Sequence, residues 1–191
     1  MTWLDLWRAQ HPTPAPLVLP ERYQQARLEK CSPVQRECIH KYLQQFWEVA
    51  PQGRAPIFLG ESGVGKSMAA AVLITLLHER AKLDMRWESA GQWVVKDRTL
   101  PREEHASWVR KMQQIPILVL DDIHFVTVAE VSTFAVLTAV LTGRWDACKP
   151  TIITANLSLP AGTEWDALAT IYTAALARRM RDAGEGFTVL T

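Results

Sequence analysis

Cysteine is scarce, neither sign of charge is in excess, and no apolar run is long. Cys31, Cys38 and Cys148 are too few and too widely spaced for a disulfide framework. Cys31, Cys38 and His40 are near one another, but no second ligand pair completes a zinc site, so buried or idle thiols in a reducing compartment are expected. The 21 basic residues against 20 acidic ones, net +1, exclude a strongly basic nucleic-acid coat and leave room for a local basic patch. The N-terminus lacks a basic segment followed by an apolar one, and the longest apolar stretch, Met68 to Leu77, is too short to cross a bilayer. A soluble, cytoplasmic protein without membrane contact is the expectation. No repeat or low-complexity tract interrupts the 191 residues, and 48% hydrophobic content can bury one substantial core.

What is present is an octapeptide, Gly-Glu-Ser-Gly-Val-Gly-Lys-Ser, at residues 60–67. It fits G-x-x-x-x-G-K-[ST], the phosphate-binding loop. Ordinary residue frequencies give such a match roughly a 1% chance in a chain of this size. Gly60, Glu61, Ser62, Gly63, Val64 and Gly65 allow a tight turn whose amide N–H groups converge on an anionic phosphate, and Lys66, Ser67 and Met68 open the helix behind it. Lys66 is expected to place its charge on the β- and γ-phosphates of ATP and Ser67 to offer its hydroxyl to Mg²⁺. The context agrees: Pro56-Ile57-Phe58-Leu59 reads as a buried strand, and Met68 to Leu83, free of glycine and proline, as a helix.

Further along, Ile117-Leu118-Val119-Leu120-Asp121-Asp122 is an unbroken apolar run ending in two carboxylates, where open α/β sheets bind ligands. Asp121 is expected to hold Mg²⁺ and Asp122 to orient or deprotonate the attacking water. Thr151-Ile152-Ile153-Thr154-Ala155-Asn156 reads as another buried strand, with Asn156 within reach of the γ-phosphate or that water. Apolar residues every three or four positions from Pro33 to Val49, with Ser32 as N-cap, predict an amphipathic helix. Further strands are predicted at 85–88 and 187–190. Helices are predicted at 90–114 with a break near Pro101, at 128–142, and at 165–183. Five strands alternating with helices imply an α/β, doubly wound parallel sheet.

Residues 1–10 carry Trp3, Leu4, Leu6 and Trp7, followed by the proline-rich His11–Pro16. Two readings stand: a docking peptide held off the body by a proline spacer, or tryptophans folded back over a bare edge of the domain. Arg86, Lys96, Arg98, Arg102, Arg110 and Lys111, interleaved with Trp87, Trp93 and Trp108, likewise suit either single-stranded DNA binding or ordinary surface charge over a tryptophan core.

Four segments together resemble the AAA+ ATPases of the helicase-loader type, the group of DnaC and DnaI, the transposition ATPase IstB and, more distantly, DnaA. They are the loop Gly60–Ser67, the run ILVLDD, the strand TIITANLS and the helix end Ala177-Arg178-Arg179-Met180. The stretch from Leu19 to Leu28 is similar to the lead-in that lies near the adenine in loaders. The resemblance covers residues 19–191 as an ATPase domain, with 1–18 as a separate N-terminal segment and linker. It implies a P-loop NTPase sheet of order 5-1-4-3-2 without a helical lid domain, self-association, and a trans-acting arginine at Arg179, with Arg178 as the alternative. Asp122 stands where many AAA+ enzymes have Glu, one methylene longer, so slow hydrolysis stimulated by a partner or DNA is expected. Loaders carry a sizeable N-terminal helicase-binding region, for which residues 1–10 are a minimal substitute. The leading function is an ATP-dependent loader of a replicative helicase onto single-stranded DNA. The alternatives are an IstB-like regulator of a transposase on duplex DNA, and an ATP-gated adaptor with little hydrolysis.

Overall fold

The computed structural model describes residues 2–10, 13–157 and 163–190. His11, Pro12 and Ser158, which belong to segments singled out above, lie outside them. In chain order the elements are α1 (Trp3–Gln10), α2 (Pro33–Val49), β1 (Ile57–Gly60), α3 (Lys66–Ala81), β2 (Met85–Ser89), α4 (Ala90–Thr99), α5 (Arg102–Gln114) and β3 (Ile117–Asp121). Then follow α6 (Val131–Asp146), β4 (Thr151–Asn156), α7 (Glu164–Ile171), α8 (Ala174–Ala183) and β5 (Thr188–Leu190). All strand pairs are parallel, in the order β2-β3-β4-β1-β5, which is 5-1-4-3-2 from the other edge.

Alternation along the strands divides the core in two. Phe58, Ile117, Val119 and Ile152 face the side covered by α2 and α3, while Ile57, Leu59, Leu118, Leu120 and Ile153 face α4, α5, α6 and α8. Burial on both faces is why β1 and residues 117–120 of β3 are apolar without interruption, and why β4 is buried from Thr151 to Ala155. The helix α2 starts with a capping box: the Ser32 hydroxyl accepts from the Gln35 N–H, and the Gln35 carboxamide accepts from the Ser32 N–H.

Three predicted helices change extent. The expected helix at 165–183 is two helices, because Tyr172 leaves the helical conformation and the Thr173 hydroxyl caps a new start by accepting from the Leu176 N–H. The helix expected at 128–142 begins at Val131, since Thr127–Glu130 forms a turn, and runs through Gly143. A Cβ at Gly143 would meet the Gln113 carboxamide, which lies over this glycine within the helix. The helix expected from Met68 starts at Lys66 and ends where Lys82 turns left-handed (φ 52°).

Residues 3–10 lie against the body. Leu4 is fully buried, Trp3 and Trp7 pack on the first core, and the Trp3 indole donates to the Cys148 carbonyl (3.0 Å). A helix of eight residues is too short to persist alone. Burial of Leu4, worth about 2 kcal/mol, and of two indoles supplies what propensity cannot.

The largest buried polar side chain is Arg144, with no exposed surface. Its Nε donates to Thr151 Oγ1, Nη1 to the carbonyls of Met112 and Ile115, and Nη2 to those of Pro116 and Pro150. One guanidinium thereby ties the end of α6 to the exit of α5 and the entries of β3 and β4. Burial without a counter-ion lowers its pKa to about 9, still charged at neutral pH. Arg144→Met keeps much of the volume but strands the carbonyls, so a loss of about 3 kcal/mol is expected. Urea unfolding checks this: the midpoint should fall with the slope unchanged.

Candidate functional site

The loop after β1 reverses direction through two left-handed glycines, Gly63 (φ 85°) and Gly65 (φ 89°). A Cβ at Gly63 would meet nothing within 4 Å, so the requirement there is conformational rather than steric. Gln35 reaches across from the start of α2 and donates to the Val64 carbonyl (3.0 Å). The capping box of one helix thus braces the loop that opens another. The helix α3 begins at Lys66, directing the positive end of its dipole at the loop. Lys66 is almost fully buried, and its ammonium donates to the Glu61 carbonyl. Burial lowers its pKa, while Asp122 and then Asp121 oppose the shift.

Asp121 ends β3 beside this loop and is 1% exposed. Its Oδ1 accepts from Thr154 Oγ1 (2.6 Å). Its Oδ2 is buried with no hydrogen bond of normal geometry; the Ser67 hydroxyl stands close to this carboxylate, and the nearest cation is the Arg22 guanidinium, 3.8 Å away. Burial raises the Asp121 pKa; the Thr154 and Ser67 hydroxyls counter it, Asp122 reinforces it, and Arg22 counters it again. A buried carboxylate oxygen without a well-formed hydrogen bond, next to a serine hydroxyl and with only a distant guanidinium against it, fits a divalent cation well, because a hard cation takes oxygen ligands and relieves the desolvated charge. Among the described residues no group of three or more His, Cys, Asp or Glu forms a further metal site.

The next residue departs from the strand. Asp122 is left-handed (φ 57°, ψ 47°), and its N–H donates to the same Thr154 hydroxyl (2.9 Å). An aspartate tolerates this conformation at modest cost, and the turn swings its carboxylate out of the strand line into the cleft. Asn156, at the end of β4, pairs with Gly60 in the sheet register and so stands beside the first residue of the loop. An open cleft of about 330 Å³ gathers Gly63, Gly65, Lys66, Ser67, Met68, Asp122 and Asn156, together with Arg22 and Tyr23.

Four further residues line the cleft or brace it. The lead-in, expected near an adenine, brings Arg22 and Tyr23 to the carboxylate end of the cleft. Tyr23 packs on Trp87 (centroids 5.3 Å apart), its hydroxyl faces Ser67, and Arg22 lies over the Tyr23 ring. Gln35 shows in sequence only as a capping residue. His124 follows the acidic pair, and both of its ring nitrogens lie against Asn156. The three-residue spacing of Ser32 and Gln35 signals the cap alone; nothing in the sequence signals the Gln35 contact with Val64 or that of His124 with Asn156.

Arg179 lies elsewhere. It is 49% exposed, 3.8 Å from Asp146, in a separate cleft with Gln52, Gly53 and Arg54. Those residues precede β1 or end α6, so Arg179 is at the amino ends of the strands, whereas the loop is at their carboxyl ends. Arg178 pairs with Asp182 (3.9 Å).

The charge-and-tryptophan reading loses its aromatic half. Trp93 is completely buried and donates to Glu88 (2.9 Å), Trp108 packs edge-on against it, and Trp87 is also buried. None of the three is a stacking platform. Arg86 pairs with Glu88 and Arg98 with Glu130. Among the described residues no helix is long and apolar enough to cross a membrane.

No family model matches the chain, and no curated protein matches it. Solved structures do. The crystal structure of the DnaC helicase loader superposes with a TM-score of 0.77 at 21% identity, over 89% of this chain and 99% of that one. That of a primosome component from Streptococcus pyogenes serotype M3, itself described as putative, gives 0.69 at 21% identity over 91% of both chains. The replication initiator DnaA bound to AMPPCP and single-stranded DNA gives 0.67 at 16% identity, over 90% of this chain and 50% of that one.

Proposed function

We propose that this chain, which shares its fold with the DnaC helicase loader, is an ATP-hydrolysing loader that delivers a replicative DNA helicase onto single-stranded DNA. The observation that carries the ATPase part is the buried Asp121 carboxylate beside Ser67, whose Oδ2 has no hydrogen bond of normal geometry, at the mouth of a loop that fits the phosphate-binding motif. The match to nearly the whole length of the DnaC structure supports the loader part.

In this reading the amides of residues 60–67 hold the phosphate chain of ATP, and Lys66 exchanges its bond to the Glu61 carbonyl for one to the β- and γ-phosphates. Ser67 and Asp121 would hold Mg²⁺, which when bound would supply positive charge to the phosphate oxygens. Asp122, turned into the cleft, orients and deprotonates the attacking water, and Asn156 donates to the γ-phosphate. Arg179 completes the site of a neighbouring subunit, where its planar guanidinium can pair with two phosphate oxygens.

Loading of the host's purified replicative helicase onto circular single-stranded DNA tests the proposal. ATP-dependent loading by the whole chain, lost in Asp122→Ala while ATP affinity stays within about threefold, is the expected result; hydrolysis should fall about 10²-fold. Loading that survives Asp122→Ala leaves only a nucleotide-gated adaptor. A preference for duplex DNA with capture of a transposase overturns the loader assignment.

A further inference from the structure

The ring of His124 is held at two points by one residue. The Asn156 backbone N–H donates to His124 Nδ1 at 3.2 Å, and the Asn156 carboxamide lies 3.1 Å from Nε2. A ring nitrogen that accepts carries no proton, so the neutral imidazole keeps its hydrogen on Nε2. The carboxamide atom placed opposite is Nδ2, which would set two N–H donors face to face. A backbone N–H cannot turn away, whereas a carboxamide can: a half-turn about its last bond brings Oδ1 to the Nε2–H at no cost in shape. Burial also holds the ring towards its neutral form, although Asp122, 3.9 Å from Nδ1, pulls the other way.

We propose that His124 is a positioning residue that fixes the Asn156 carboxamide with its oxygen on the imidazole and its amino group towards the phosphate cleft. The consequence is chemical. An Asn156 free to rotate presents its carbonyl oxygen to a γ-phosphate half the time and is repelled by it; held by Nε2–H, it presents two N–H donors. His124 therefore sets the sign of the contact by which the site distinguishes a triphosphate from a diphosphate. The ring is itself seated against Phe125 (centroids 4.4 Å apart), so the orientation is passed from a packed aromatic pair to a polar amide. This inference rests on the nucleotide reading of the cleft.

Calorimetry with Mg·ADP and a non-hydrolysable Mg·ATP analogue tests it on the full chain, wild type against His124→Phe and His124→Gln. Phe keeps the ring packing and removes both nitrogens; Gln restores an N–H at the reach of Nε2. Affinity for Mg·ADP should be unchanged in all three. The preference for the ATP analogue over ADP should fall about tenfold in His124→Phe and return in His124→Gln. On an Asn156→Ala background, His124→Phe should change nothing further. A preference that survives His124→Phe, that falls equally in His124→Gln, or that falls additively with Asn156→Ala overturns the proposal. Nitrogen NMR of the wild-type imidazole gives an answer that needs no variant: the Nε2–H tautomer is expected, and the Nδ1–H tautomer refutes it. Wild-type protein that binds neither nucleotide removes the nucleotide reading itself, whereas normal binding with an indifferent preference removes only the role of His124.

Discussion

Lys66→Met is expected to lower kcat/KM for ATP about 10³-fold while leaving the nucleotide-free protein as stable as before, or slightly more so. The second half follows from the lysine's surroundings. Folding buries the ammonium and gives it one carbonyl in return, so its pKa falls below the ordinary 10.5 despite Asp122 and Asp121 nearby. A base whose folded pKa is depressed binds its proton more tightly in the unfolded chain. Stability is therefore reduced at neutral pH, where the group is charged in both states, and recovers as pH rises through the lowered folded value towards 10.5. A methionine of similar length fills the space without that cost. The fold thus maintains a cation it would be better off without, and the compensating anion has to arrive with the ligand. Thermal melts with and without Mg·ATP separate the two effects. Wild type should gain about 2.7 kcal/mol at a nucleotide concentration a hundredfold above Kd, and Lys66→Met should gain nothing there. An equal nucleotide-induced shift in both proteins refutes phosphate binding at this loop. A large fall in the melting temperature of the nucleotide-free variant would mean that Lys66 is structural instead.

How much of this site is legible in the sequence depends on how far each contact reaches along the chain. The loop is fully legible because its requirements are local: two left-handed residues, a lysine and a hydroxyl within eight positions. The strands are legible as well, since burial on both faces leaves an apolar run that nothing else explains. β4 spans Thr151–Asn156 as predicted, and α2 spans Pro33–Val49 because its cap is written in Ser32 and Pro33. Asp122 shows where local reading runs out. As the last residue of a strand its side chain would alternate to the face opposite Asp121; its left-handed turn, tied to Thr154 more than thirty residues away, decides otherwise. His124 and Arg22 act on residues 32 and 99 positions distant, Asn156 and Asp121 respectively, and no spacing rule anticipates such partners. The tryptophans leave two readings open for a related reason. A charged segment with three indoles has the composition of a DNA surface, but composition does not record which face of α4 and α5 is turned to the sheet. Glu88, itself buried, gives the Trp93 indole the acceptor that lets it sit in the core.

The position of Arg179 yields the other large effect. The guanidinium lies at the amino ends of the strands, beside Asp146 and the residues leading into β1, while Lys66 and Ser67 sit beyond the carboxyl end of that same strand. A side chain there has no route to its own phosphate loop, so any action on a triphosphate falls on another subunit. Among the described residues its half-exposed guanidinium is held by one long contact to an exposed aspartate, a pairing worth little and easily exchanged. Arg179→Ala should therefore fold normally, bind ATP as before, and hydrolyse it about 10³-fold more slowly. Arg178→Ala should be close to wild type. The proposed head-to-tail assembly makes a sharper demand, because loop and arginine of one working site would come from different chains. Arg179→Ala retains an intact loop and Lys66→Met retains an intact arginine. Each should be inactive alone. In a random equimolar mixture about half the sites have a working loop, and about half of those face a working arginine, so roughly a quarter of wild-type activity should return. Recovery should also depend on total protein concentration, as activity shared between subunits must. A mixture that stays inactive, or Arg179→Ala protein that hydrolyses ATP at the wild-type rate, removes this arginine from the reaction.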